Sequence, residues 1–128
     1  PQAPARERLN FSSIRPTTSS EVINVEKVGK DRVELERITD KQIQELFRLT
    51  EKMKNSPNRG ELWLRLAELY VEKSDYIRSR RQAIYEEKLN QYNSKAISVK
   101  PEINLRDAEE YNKKAIQLYE YFVRDFKK

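Results

Sequence analysis

Apolar residues recur at helical spacing over most of this 128-residue chain. Between Gly60 and Tyr76, residues Leu62, Trp63, Leu66, Leu69 and Tyr70 share one face of a 3.6-residue period, which predicts a helix with one packed side. Ala67, in the middle of that side, is small enough to let a second helix approach closely. Ser74 and Asp75 read as a stop and a restart, with Asp75 suited to cap a further helix that runs to about Ser94. In it Tyr85, Leu89, Tyr92 and Ala96 form a narrow seam like that of a coiled coil. Residues 95–105 break the pattern at Pro101, although Ile97, Val99, Ile103 and Leu105 keep this loop apolar enough to pack down. From Asn104 or Arg106-Asp107 the last helix carries Ala108, Tyr111, Ala115, Leu118, Phe122 and Phe126 in one stripe, with Tyr119 and Val123 beside it. Such a stripe must be covered by other helices, by further chain or by a second molecule.

Upstream, Thr39-Asp40-Lys41-Gln42 matches a capping box: a hydroxyl at the N-cap and a Gln three residues later. The helix it predicts carries Ile43, Leu46, Phe47 and Met53 and ends near Asn55, before the loop Ser56-Pro57-Asn58-Arg59-Gly60. Residues 21–38 support two readings. Val22, Ile23, Val25 and Val28, a turn at Gly29-Lys30-Asp31, then Val33 and Leu35 fit a short β-hairpin over 22–37. A helix starting near Lys30 and running into the next element fits as well. Residues 1–20 read as extended or disordered, and Leu9, Phe11 and Ile14 read either as anchors on a neighbouring surface or as incidental apolar residues of a floppy tail. The expected organisation is therefore an N-terminal arm, residues 1–38, and a helical domain, residues 39–128. The fold class is all-α: a bundle of about four helices arranged as helical hairpins.

Composition narrows the function. Hydrophobic and charged residues each make up 37%, which suits helices with one buried face and a wide polar one. The absence of cysteine and histidine removes thiol nucleophiles, disulfides and the commonest metal ligand. There is no glycine-rich phosphate loop, and the carboxylates of Glu86-Glu87 and Glu109-Glu110 point apart on a helix. The expectation is a protein that is not an enzyme and takes no cofactor or metal. The net charge of +5 is modest and spread along the chain. One run stands out: Arg78, Arg80 and Arg81 near the start of the expected helix after Asp75, where the helix dipole disfavours cations. They read either as contacts for an acidic partner or an anion, or as partners of nearby carboxylates such as Glu72 or Glu86. The start Pro1-Gln2-Ala3-Pro4-Ala5 reads as a mature end left by signal-peptide cleavage, so export to a bacterial periplasm or surface is expected, with a cytoplasmic location as the alternative.

Trp63, Leu66, Ala67 and Tyr70 followed by Ser74-Asp75-Tyr76, with Pro57-Asn58 just ahead, resemble the tetratricopeptide repeat. That repeat's first helix reads W-x-x-L-G/A-x-x-Y, and its second begins after G-D-Y. Ala108, Tyr111, Ala115 and Ile116 resemble the second-helix pattern. The phrase Leu62 to Ser74 is also similar to exported repeat proteins of gliding and predatory delta-class bacteria. The resemblance implies that Trp63, Leu66, Ala67, Tyr70, Tyr76, Ala108, Tyr111 and Ala115 pack the repeat. It implies a binding surface at Glu61, Leu64, Arg65, Glu68 and Val71, with Arg78, Arg80 and Arg81 as further partner contacts. The function expected is a protein–protein scaffold, the N-terminal module of a larger assembly protein, with other proteins, peptides or further repeats as partners. A helical homo-oligomer held by the Tyr85/Leu89/Tyr92 seam or the Leu118/Phe122/Phe126 stripe is the alternative. Weak nucleic-acid binding through the arginines and Tyr76 is a third reading.

Overall fold

A computed structural model describes residues 9–17 and 21–126. Among them the elements are α1 (Phe11–Ile14), α2 (Val25–Val28), α3 (Lys30–Lys52), α4 (Arg59–Asn93) and α5 (Arg106–Phe126), with no strand. The fold is all-α. The long helix α4 lies between α3 and α5 and packs on both.

The hydrophobic stripes explain the packing. On α3, Val33, Ile43 and Phe47 turn inward with Glu36, Thr39 and Thr50. On α4 the inward arc holds Trp63, Leu66, Ala67, Leu69, Tyr70 and Ile77, and on α5 it holds Ala108, Tyr111, Ala115, Leu118 and Tyr121. Ala67, Ala108 and Ala115 are almost wholly buried, so small residues lie where α4 and α5 meet. At the N-terminal end of α4, Trp63 sits edge-on to Tyr121 and Phe126 at ring distances of 6.2 and 5.4 Å, and Arg59 covers the Phe126 ring. Gly60 is buried there against Phe122 and Phe126, too close for a side chain to fit without displacing them.

The N-terminal segment packs on this layer from one side. Ile14 is fully buried, and Leu9 and Phe11 pack on the core beside it. The Tyr70 hydroxyl donates to the Ile14 carbonyl, and Tyr111 donates to the Thr17 carbonyl at 3.0 Å. Ser13 reaches Gln117 on α5 at 2.9 Å, while Phe11 meets Phe47 on α3 edge-on. Of the two readings of Leu9, Phe11 and Ile14, anchors or incidental apolar residues of a tail, the structure shows the anchors, and Phe11–Ile14 is a turn of helix where an extended or disordered segment was expected. What was expected of residues 1–8 and 18–20 lies outside the described residues.

Several expectations need correction. Residues 22–37 form no hairpin: Asn24 caps α2 by accepting from the Glu26 and Lys27 N–H groups, and Gly29, at φ +97°, turns the chain into α3. The helical alternative from Lys30 is the one found. The capping box at Thr39 does not start a helix, because Thr39 is a buried residue within α3. The boundary at 38/39 consequently falls inside one helix. The stop at Ser74-Asp75 is absent too. Ser74 is buried and donates from its hydroxyl to the Ala108 carbonyl at 2.8 Å, so its small size serves the α4–α5 contact. The helix ends at Asn93, followed by Lys95 in the left-handed region at φ 67°.

Candidate functional site

Charged side chains on the inward faces of α3 and α4 supply the most unusual chemistry of the chain. Glu36 follows Val33 by three residues on α3, and Arg80 follows Ile77 by three on α4, so both helices carry a charge in an otherwise apolar stripe. One Glu36 oxygen accepts from Arg80 Nε at 2.7 Å. The other accepts from Arg80 Nη2 at 2.9 Å and from Lys73 Nζ at 2.8 Å. The three side chains are at most 8% exposed. Lys73 also pairs with Asp40 at 2.8 Å, and Arg80 with Glu21 at 2.9 Å. Arg81 extends the network outward, bridging Glu21 at 3.0 Å and Asp107 at 2.7 Å and donating to the Asn104 carbonyl. The network thereby ties Glu21, α3, α4 and the start of α5 together.

Burial pushes the Glu36 carboxyl up, but hydrogen bonds and charge from Arg80 and Lys73 outweigh it and hold the group below its ordinary value. Glu21 is held down in the same way by Arg80 and Arg81 against its own burial. Burial lowers Lys73, yet Asp40 and Glu36 raise it further, so it remains a cation. The same balance keeps Arg80 and Arg81 charged. Burial raises the Tyr70 hydroxyl far above its usual value and raises Tyr111 as well, so both act as neutral donors to the arm. A cavity of about 310 Å³ lies over the network, walled by Glu36, Asp40, Lys73, Arg80 and Tyr111 among others. Its charged walls are already paired with one another, and among the described residues no group of acidic side chains has the arrangement of a metal site. A general acid requires a carboxyl raised toward neutral pH, and the Glu36 and Glu21 carboxyls move the other way.

The sequence-predicted residues divide into an inner and an outer set. Trp63, Leu66, Ala67, Tyr70, Ala108, Tyr111 and Ala115 are buried, and Tyr76 is half-buried. Arg80 and Arg81 pair with carboxylates, but with Glu36, Glu21 and Asp107 and not with Glu72 or Glu86; Arg78 is exposed. Glu61, Arg65, Glu68 and Val71 lie on the solvent side of α4 with Leu64 half-buried at its edge, and Arg65 pairs with Glu68 at 3.1 Å. Leu118 is fully buried and Phe122 and Phe126 pack on the core; Tyr85, Leu89 and Tyr92 are half-buried, and Ala96 is exposed beyond the helix end. Glu36, Lys73, Glu21, Asp40 and Asp107 escaped the sequence reading. The available signal was Glu36 and Lys73 falling in register with apolar neighbours on their helices. Compared with models of known protein families, with curated proteins and with solved structures, the chain gives no match.

Proposed function

We propose that this chain is a non-catalytic protein–protein interaction scaffold, a module of helical hairpins within a larger exported assembly protein; its hairpins turn at the ends of α4, and the turn that the tetratricopeptide motif implies at Ser74-Asp75 is replaced by continuous helix. The observation that carries the reading is a second apolar stripe on the outside of the molecule. On α5, Ile116, Tyr119 and Val123 are 54%, 37% and 53% exposed at helical spacing, away from the stripe that packs inward. Val71 and Leu64 occupy one edge of the solvent side of α4, beside the Glu61, Arg65 and Glu68 ridge. Exposed apolar side chains aligned in this way, rimmed by charges, are the usual form of a docking surface for another protein. The paired state of the buried carboxylates supports a structural role for them over a chemical one.

A photo-crosslinking amino acid placed at Val71, Ile116 or Val123 of the full chain, in the native cell, tests this. Defined adducts with another protein are expected at these three positions and not at Glu34, on α3. No adducts at the three, or the same adducts at Glu34, would overturn the reading.

A further inference from the structure

The seam between α4 and α5 has two sides. Ala67 and Ala115 lie in it, and the N-terminal segment covers one side, where Tyr70 and Tyr111 hold the Ile14 and Thr17 carbonyls. Tyr70 follows Ala67 by three residues, and Tyr111 precedes Ala115 by four. Leu64 and Val71 on α4, and Asn112 and Tyr119 on α5, therefore border the opposite side. The Ser74–Ala108 bond at one end and the Gly60–Phe122 contact at the other set an antiparallel register, in which Leu64 is roughly level with Tyr119. Ile116 and Val123 widen this side across α5; they, Val71 and Tyr119 are exposed, and Leu64 is half-buried. The outcome is an apolar strip along two antiparallel helices, the kind of seat that a third helix fills.

The margin of the strip on α4 is acidic. Glu61, Glu68 and Asp75 stand three residues before or four after Leu64 and Val71, exposed and seven apart, over about 21 Å of helix. Glu61 and Asp75 form no ion pair among the described residues. Glu68 pairs with Arg65, one row further out, at 3.1 Å, with both side chains more than half exposed. On α5 the margin carries Glu109, Lys113 and Glu120, and Lys113 pairs with Glu110 at 3.4 Å. Arg78, seven residues after Val71, ends the apolar line. Between its ends the strip is thus edged by Glu61, Glu68, Asp75, Glu109 and Glu120 against Lys113, with Arg65 outside the row, in a chain whose net charge is +5.

We propose that this strip seats a basic amphipathic helix of a partner protein. The partner lays an apolar face between α4 and α5, with Lys or Arg repeating every seven residues along the margin that meets α4. The inference rests on the scaffold reading and names the chemistry of its partner. Residues seven apart keep to one line between packed helices, so a heptad row on α4 selects a heptad row opposite. Cations in that row meet Glu61, Glu68 and Asp75 about 10 Å apart. Carboxylates there are repelled, so the row selects for sign while apolar contact supplies affinity.

Two synthetic peptides of about three heptads, titrated against the full chain by fluorescence anisotropy, test this. They share one leucine seam, flanked by lysine in the first and by glutamate in the second. The lysine peptide is expected to bind with an affinity that falls as salt rises, and the glutamate peptide about tenfold more weakly or worse. Glu61→Lys with Glu68→Lys and Asp75→Lys is expected to reverse the preference with an unchanged helical spectrum, since all three side chains face solvent. Glu26→Lys with Glu34→Lys and Glu45→Lys, the same change in net charge on α2 and α3, is expected to keep the lysine preference. Absence of binding by the lysine peptide, equal affinity for the two peptides, or a reversal produced equally by both triple variants overturns the proposal. A chain that sediments as a dimer and is dispersed by Val71→Glu with Ile116→Glu also overturns it, because a second copy then fills the strip. Defined cross-links at Val71 and Ile116 alongside equal peptide affinities would remove the basic helix and leave the scaffold reading standing.

Discussion

Replacing Glu36 by Gln tests whether the buried ion network holds the helices together. Gln keeps the size of the side chain but removes its charge and turns one acceptor into a donor facing Arg80 or Lys73. Removing one partner of a buried pair generally costs about 3–5 kcal/mol, because the other charge is left in a poorly solvating interior. Here neither cation is stranded: Arg80 keeps Glu21, which is 30% exposed, and Lys73 keeps Asp40, which is 46% exposed. The expected loss is therefore smaller, about 2–3 kcal/mol, or a fall in melting temperature on the order of 10 °C for a domain of this size. Thermal and urea unfolding followed by circular dichroism measure it. Glu34→Gln is the control, since the Glu34–Arg37 pair is largely exposed and its loss is expected to stay within about 0.5 kcal/mol. The pH dependence adds an independent reading. Because the folded Glu36 pKa lies below the ordinary 4.5, its stabilisation is present above that value and is lost as pH falls through the lower folded value. The gap between wild type and Glu36→Gln should thus be full at pH 7 and close in acid. A Glu36→Gln protein that melts with wild type at pH 7, or a gap that persists undiminished in strong acid, would refute the argument.

Tyr70→Phe removes only the hydroxyl that donates to the Ile14 carbonyl. It is expected to cost about 1–2 kcal/mol in urea unfolding and to speed hydrogen exchange at α1 more than at α5. Gly29→Ala meets no neighbouring atom, but its φ of +97° is strained for an L side chain. A loss of about 1–3 kcal/mol is expected from conformation alone, read as a lower melting temperature.

The last helix was legible in sequence because its buried residues are apolar and its polar ones face water; Asn104 even marks its start by accepting from the Arg106 N–H at 2.9 Å. Elsewhere local signals pointed to the wrong structure. The β-branched residues at 22–28 favour a strand in isolation, yet Asn24 and Gly29 build a capped turn of helix and a tight entry into α3. Thr39-x-x-Gln42 has the residues of a capping box, but a cap works only where N–H groups are unpaired, and in the interior of α3 they are not. At Ser74 a small polar residue reads locally as a breaker, yet inside α4 its hydroxyl donates to the Ala108 carbonyl. The ion network was hidden for another reason. Arg80 finds Glu36 forty-four residues away and Glu21 fifty-nine residues away, so no local window could pair them. Whether α4 carries one repeat helix or two was likewise a question of tertiary contact, and the answer is one rod of 35 residues, about 52 Å long.

The seating of the segment around α1 imposes an order on biosynthesis. Ile14, Ser13 and Thr17 leave the ribosome before the side chains that receive them, Tyr70, Gln117 and Tyr111, which follow 56, 104 and 94 residues later. Until α5 is out, Phe11 and Ile14 have only part of their cradle, and so this apolar stretch stays incompletely covered while the chain across the 104-residue separation of Ser13 and Gln117 is made. Such long-range closure delays completion of the native state and opens a period in which a chaperone or a neighbouring nascent chain can compete for the same residues.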